Sequence, residues 1–207
     1  MPQQLYDKDQ ILDTCLAVFA QYGYEKTSAS MLAEAAGTSK ALLFHHFKNK
    51  KSLYLSLVDR CFRRAREEMG VDRLPTSGDF FEVISSFSLT KLHYYRLHPE
   101  IYRVVQEAMH NTPKELEADI QERYGSLMAE ADAYWTQLFE QVPLRRGVQR
   151  AEALELIQLV ISHFEAEYFA APTPQSQRDS AYVQRFHDKI RSFLDMIRRG
   201  IEAPEDK

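Results

Sequence analysis

Apolar positions recur along this chain at intervals of three and four, and almost no segment alternates with a period of two. That pattern predicts helices throughout. Glycine and proline cut it into helix-sized pieces at Gly23, Gly37, Gly70 to Gly78, Pro99, Pro113, Pro143 to Gly147, Pro172 to Pro174, and Gly200 to Pro204. A first helix from about Asp7 to Tyr22 buries Ile11, Cys15, Leu16 and Phe19, with Asp7 and Gln10 placed as a capping box and Gly23 as the stop.

The next stretch, Thr27 to Leu53, reads as two short helices and the start of a third. Thr27 is placed to cap the first, whose narrow face of Ala29, Leu32, Ala33 and Ala36 lets a second helix approach closely. Gly37 closes it, since a residue without Cβ adopts the left-handed conformation that ends a helix. Ser39 caps the second helix, Leu42, Leu43, Phe44 and Phe47 supply its apolar surface, and Lys40, His45 and His46 leave an outer face of donors. A helix that enters a DNA groove carries such a face. Asn49 caps a fourth helix, which runs through Leu53, Leu57, Val58 and Cys61 into RRAREE.

Beyond the linker GVDRLPTSGD the helices grow longer and richer in aromatics. They are expected over about Asp79 to Leu97, Pro99 to Met109, Pro113 to Gln141 with Gly125 as a possible bend, Gln149 to Ala170, and Asp179 to Ile201. The last two are apolar over too wide an arc for one partner. They predict a dimer contact as well as a core, with Leu156, Leu159, Phe186, Ile190, Phe193 and Ile197 as its candidates. The fold class is all-α: a three-helix helix-turn-helix head over residues 1–51 and a larger helical domain over 52–207 that carries the dimer contact, about nine helices in all.

Composition changes this picture in one place. The chain of 207 residues is 44% apolar and carries a net charge of −4, so affinity for nucleic acid has to come from local distribution. Between Glu34 and Asp59 there is no acidic residue, and Lys40, Lys48, Lys50 and Lys51 lie inside that gap. Cys15 and Cys61 sit among apolar residues without CxxC spacing and read as small buried hydrophobes. His93, His98, His110, His163 and His187 do not share a helix face, so no metal site is expected, and no nucleophile elbow, phosphate loop or HExxH points to an enzyme. No cofactor is expected. No leader peptide or membrane span is legible, which makes the expected location cytoplasmic.

Phe19, Gly23, Tyr24, Thr27, Leu32, Ala33, Ala36, Gly37, Ser39, Lys40, Leu43, His46, Phe47, Lys50 and Leu53 together resemble, in order and spacing, the DNA-binding region of the TetR/AcrR family of bacterial regulators. The resemblance covers about a quarter of the chain. It implies a homodimer that binds a palindromic double-stranded operator and responds to a small molecule held by the C-terminal helices, repression being the commoner outcome. Lys40, Ala41 and His45 would then reach bases, and Thr27, Ser28, Ser39, Phe44, His46 and Lys50 would lie toward phosphates. The chain departs from the family at Phe44, often tyrosine, at Leu42, often small or hydroxylated and here able to meet a thymine methyl or protein, and at Thr38, usually aliphatic. Phe87, Tyr94, Tyr95, Tyr102, Met128, Trp135, His163 and Phe164 are the candidates to surround a largely apolar or aromatic effector, with Tyr102 or His163 as its polar anchor. A helical ligand-binding or protein-interaction module without DNA binding is the second reading open at this point.

Overall fold

The computed structural model describes residues 8–170 and 179–204. The Asp7 half of the expected capping box, and the segment Pro172 to Gln177, lie outside the described residues. Among the described residues there are nine α-helices and no strand. They are α1 (Lys8–Lys26), α2 (Ala29–Ala35), α3 (Lys40–Phe47), α4 (Lys50–Glu68), α5 (Phe80–Leu97), α6 (Pro99–His110), α7 (Glu117–Phe139), α8 (Arg150–Ala170) and α9 (Ser180–Ile201). The ends follow the local signals closely. Ser28, Ser39 and Asp179 accept the backbone N–H three residues on, and Asn49 Oδ1 does the same for Ser52 at 2.8 Å.

Three boundaries differ from expectation. Helix α1 is assigned through to Lys26, but Gly23 breaks it with φ 73 and ψ 168. The cap of α2 is Ser28 and not Thr27, whose hydroxyl instead donates back to the Gly23 carbonyl at 2.6 Å. A 3-10 turn over Lys114–Leu116 replaces the first turn expected after Pro113, and α7 then runs through Gly125 without interruption. Between α3 and α4, Lys48 adopts φ 62 and ψ −54 while the Asn49 N–H reaches the Phe47 carbonyl at 2.7 Å. This is a γ-turn, and it reverses the chain within one residue.

The chain forms two compact units, each assembled from separated segments. Residues 1–68 and 98–125 make the first; residues 69–97 and 126–207 make the second. A cut between 51 and 52 falls inside α4, so the head does not stand alone as three helices: α6 packs on α1 and α4 within the first unit. Its core stacks Ile11, Cys15 and Phe19 of α1 on Leu53, Tyr54, Leu57 and Val58 of α4, with Ile101, Val104 and Ala108 of α6 closing it. The Tyr54 ring lies 4.9 Å from both Phe19 and Tyr24. Each fully buried side chain of this size contributes roughly 1.5–3 kcal/mol by leaving water. Both thiols are inside this core, and burial pushes Cys15 up to about 11 and Cys61 to about 12.

The second unit wraps α5, α8, α9 and the end of α7 around Phe80, Leu92, Phe139, Ile157, Phe164, Tyr168, Ile190 and Leu194. Its aromatics meet edge to face, as at Phe80 and Phe139 with centroids 4.8 Å apart. The segment between α7 and α8 is clasped by the end of the chain. Arg145 donates its N–H to the Ile201 carbonyl, and Ala203 donates its own to Pro143, each at 2.8 Å.

Candidate nucleic-acid interface

Helix α3 buries only Leu43 and Phe47, four apart on one face, and these hold it against the rest of the head. Lys40, Ala41, Leu42, His45 and His46 are exposed, and Phe44 is half-buried. Leu42 is a large apolar side chain left 37% open to solvent, which sets it apart from its neighbours Leu43 and Phe47. Ser39 sits at the start with its hydroxyl accepting the Leu42 N–H at 3.1 Å, and Ser28 occupies the corresponding place before α2. The acid-free window therefore contains one helix with an exposed outer face, and the exposed Ser28 and Ser39 hydroxyls lie at the starts of α2 and α3. An α-helix of this width fits a major groove about 12 Å wide.

Two expected contact residues are turned inward. Thr27 is 2% exposed, with its hydroxyl used on Gly23. Lys50 extends its ammonium to the Tyr24 carbonyl at 3.0 Å and the Thr27 carbonyl at 3.2 Å, and lies 4.1 Å over the Tyr24 ring. Both residues thus build the joint between α1 and α2. The resemblance implied phosphate-side positions for both; nothing local indicated that the Gly23, Tyr24 and Thr27 carbonyls would claim their side chains.

The same joint shows what sequence reading missed. Glu107 of α6 accepts the Tyr24 backbone N–H and the Tyr54 hydroxyl, and Glu115 accepts the Tyr24 hydroxyl. Burial and these carboxylates raise both phenols above their ordinary range, so they stay protonated donors. A glutamate on an amphipathic helix ordinarily reads as a solvated residue, and α6 offers no local sign to the contrary. Lys51 adds a second tie, 2.6 Å from Asp119.

The expected effector residues are distributed unevenly. Tyr102 belongs to the first unit, and the other seven to the second. There Phe87 and Trp135 are in contact at 5.7 Å, Tyr94 and Tyr95 pack at 5.1 Å, and Phe164 is buried. Met128 and His163 are exposed, so His163 is not an interior anchor. It lies instead along an open groove of α8 and α9 with Leu159, Val160, Phe164, Lys189 and Phe193. The polar groups inside this unit are others. His187 Nε2 stands 3.0 Å from both the Ser85 hydroxyl and the Ser85 carbonyl, and Lys91 pairs with the buried Glu165 at 2.7 Å. Among the described residues, Ser88 Oγ and Glu165 Oε1 are buried without a hydrogen-bond partner. Ser85, Ser88 and Leu92 share a face of α5, and Glu165 follows Ile161 by four; polar residues in core register were the available signal.

Of the expected dimer residues, Leu156 and Leu159 are 47% and 60% exposed and Phe193 is 38% exposed, while Phe186 and Ile197 are half-buried. Ile190 is withdrawn from that set. It is completely buried in its own chain's core, because α9 turns it toward α5 and α8. Met196, not among the six, is 53% exposed on α9. Among the described residues no helix is long and apolar enough to cross a membrane, and no group of three His, Cys, Asp or Glu side chains is placed to hold a metal ion.

Residues 11–57 match the family model described as bacterial regulatory proteins, tetR family. The biofilm operon icaADBC HTH-type negative transcriptional regulator IcaR of Staphylococcus aureus (strain Newman) is 38% identical over 55 residues, 27% of this chain and 30% of that protein. An HTH-type transcriptional repressor of Mycobacterium tuberculosis is 44% identical over 49 residues, 24% of this chain and 26% of its own. The chain thus matches less than a third of the length of these curated relatives, over the head alone. The crystal structure of a TetR-like transcriptional regulator from Rhodococcus sp. RHA1 superposes with a TM-score of 0.69 over 97% of this chain and 99% of that one, at 16% identity, which is a likeness of fold. These relatives are regulators and not enzymes. The chain is thus similar to the tetR family of bacterial regulatory proteins over residues 11–57, and to a TetR-like regulator in fold over nearly its whole length.

Proposed function

We propose that this chain is a ligand-responsive, DNA-binding transcriptional repressor of the cytoplasm, which binds a palindromic double-stranded operator as a homodimer and is released by a small, largely apolar or aromatic effector. The observation that carries this reading is α3, an exposed helix with Lys40, Leu42, His45 and His46 outward and no carboxylate along residues 35–58. Residues 1–51, completed by the rest of the first unit, serve the DNA, and the second unit serves the effector and the dimer. Lys40, Ala41, Leu42 and His45 meet base edges, Lys40 as donor and Leu42 through a thymine methyl. Ser28, Ser39 and His46 meet phosphates beside them, while Phe44 supplies apolar contact only. Thr27 and Lys50 act from inside the head. The first backbone N–H groups of α4 lie next to this surface in sequence and suit a phosphate.

Sequence-selective binding is the test. On a duplex selected from a random pool by the wild-type protein, Lys40→Ala with His45→Ala weakens affinity by about 10²-fold or more, at roughly 1–3 kcal/mol for each base contact. The variant keeps its oligomeric state. Unchanged affinity for the selected duplex would remove α3 from the role of reader.

The effector meets the second unit's aromatic interior and needs a hydrogen-bond donor, because the buried Glu165 Oε1 is an acceptor without a partner among the described residues, while the Ser88 hydroxyl, also without one, can accept or donate. Tyr102 and His163 are thereby replaced as anchors. Thermal-shift screening should accordingly select apolar or aromatic molecules that carry an amine, amide or hydroxyl group. Stabilisation by small, highly charged compounds alone contradicts this part of the reading.

A further inference from the structure

One carboxylate answers two helices of the head. Glu107 of α6 accepts the Tyr24 N–H on Oε1 at 2.8 Å and the Tyr54 hydroxyl on Oε2 at 2.7 Å. Tyr24 follows the break in α1, and Tyr54 lies on α4. The approach is close enough that a Cβ at Gly23 would stand 2.8 Å from Glu107 Oε1. Lys50 holds the same joint through the Tyr24 and Thr27 carbonyls. None of these groups lies on the exposed face of α3.

We propose that Glu107 is a positioning residue of the DNA reader: from α6 it sets the direction in which α2 and α3 leave α1, and it touches no DNA itself. This rests on the reading that α3 enters the groove. The chemistry explains the residue type, since a carboxylate offers two acceptor oxygens to two donors on different elements. Glutamine keeps an oxygen for the Tyr24 amide, and its NH2 can donate to the Tyr54 oxygen, so the geometry survives without the charge. Aspartate is one methylene too short to span both. Alanine leaves a backbone N–H and a phenol unanswered in a buried place.

The experiment compares Glu107→Gln, Glu107→Asp and Glu107→Ala in the full chain, with helical content checked by circular dichroism. Affinity is read on a duplex selected by the wild-type protein, and hydrogen exchange is followed at the Tyr24 amide and through residues 29–47. Alanine is expected to weaken binding about tenfold or more and to accelerate exchange at Tyr24, with aspartate alongside it and glutamine within about threefold of wild type. Tyr54→Phe, which deletes a single hydroxyl and its bond to Glu107, is expected between these limits. A folded alanine variant with wild-type affinity and wild-type exchange overturns the proposal. So does a glutamine variant as weak as alanine. If the wild-type protein selects no duplex, the regulator reading itself fails; a wild-type protein that binds beside an alanine variant that binds equally well fails the Glu107 role alone.

Discussion

Gly23→Ala is expected to lower the unfolding free energy by about 3 kcal/mol, a loss close to the upper end of what one backbone position can cost. Gly23 has φ 73 and ψ 168, a region open essentially to glycine alone. The added methyl also meets Glu107 Oε1 at 2.8 Å. That oxygen cannot simply swing aside, because it is held on the Tyr24 N–H while its twin accepts from Tyr54. Backbone strain and a displaced hydrogen bond therefore add. Urea unfolding followed by helical signal measures the loss. In the Glu107→Ala background the same substitution costs less, since the collision is gone and only strain remains; such non-additivity is the signature of two groups in contact. A loss below about 1 kcal/mol in the wild-type background shows that the joint accommodates a side chain, against the geometry described.

The second large effect concerns the outer face of α8 and α9. Leu159→Glu with Phe193→Glu is expected to convert a dimer into monomers and to weaken operator binding by about 10²-fold or more, because a second head then has to bind from free solution instead of from a tethered partner. Leu159 is 60% exposed and Phe193 38% exposed along one open groove, and Phe193 also meets the buried Phe164 edge to face at 4.9 Å, so the fold of the double variant is checked with its oligomeric state. In an interface, each carboxylate would be buried without a partner, which is expensive. Sedimentation equilibrium reads the oligomeric state and circular dichroism the fold. A folded double variant that sediments as the wild-type protein does places the dimer contact elsewhere. The proposed reading also needs the dimer for geometric reasons: two reading helices fill successive major grooves only when held about 34–36 Å apart.

These two predictions differ in where their residues become legible. The face of α8 and α9 is visible as surplus hydrophobicity, since Leu156, Leu159 and Phe193 lie off the stripe that one packing partner would cover. The role of Gly23 is half visible. A glycine after an amphipathic run marks a helix stop, yet the partner that makes it intolerant of a methyl group is 84 residues further on, in α6. Chain neighbours carry no trace of it.

The sequence alone determined the helices, their order and most of their ends. Those follow from interactions within a few residues, namely the spacing of apolar positions, the hydroxyl and amide caps at Ser39 and Asn49, and the left-handed glycine at Gly37 with φ 61. It also marked residues 35–58 as the acid-free stretch, because composition is local too. Tertiary structure decided what each side chain meets. It took Thr27 and Lys50 from the expected phosphate side and spent them on carbonyls of the α1–α2 joint, turned Ile190 into the core while leaving Phe193 outside, and set His163 on a surface groove. It brought Glu107 and Glu115 to a pair of tyrosines and placed Glu165 and Ser88 among apolar neighbours. Each outcome depends on contacts between helices far apart in the chain, where burial and hydrogen-bond satisfaction outweigh the preference that a residue type shows by itself.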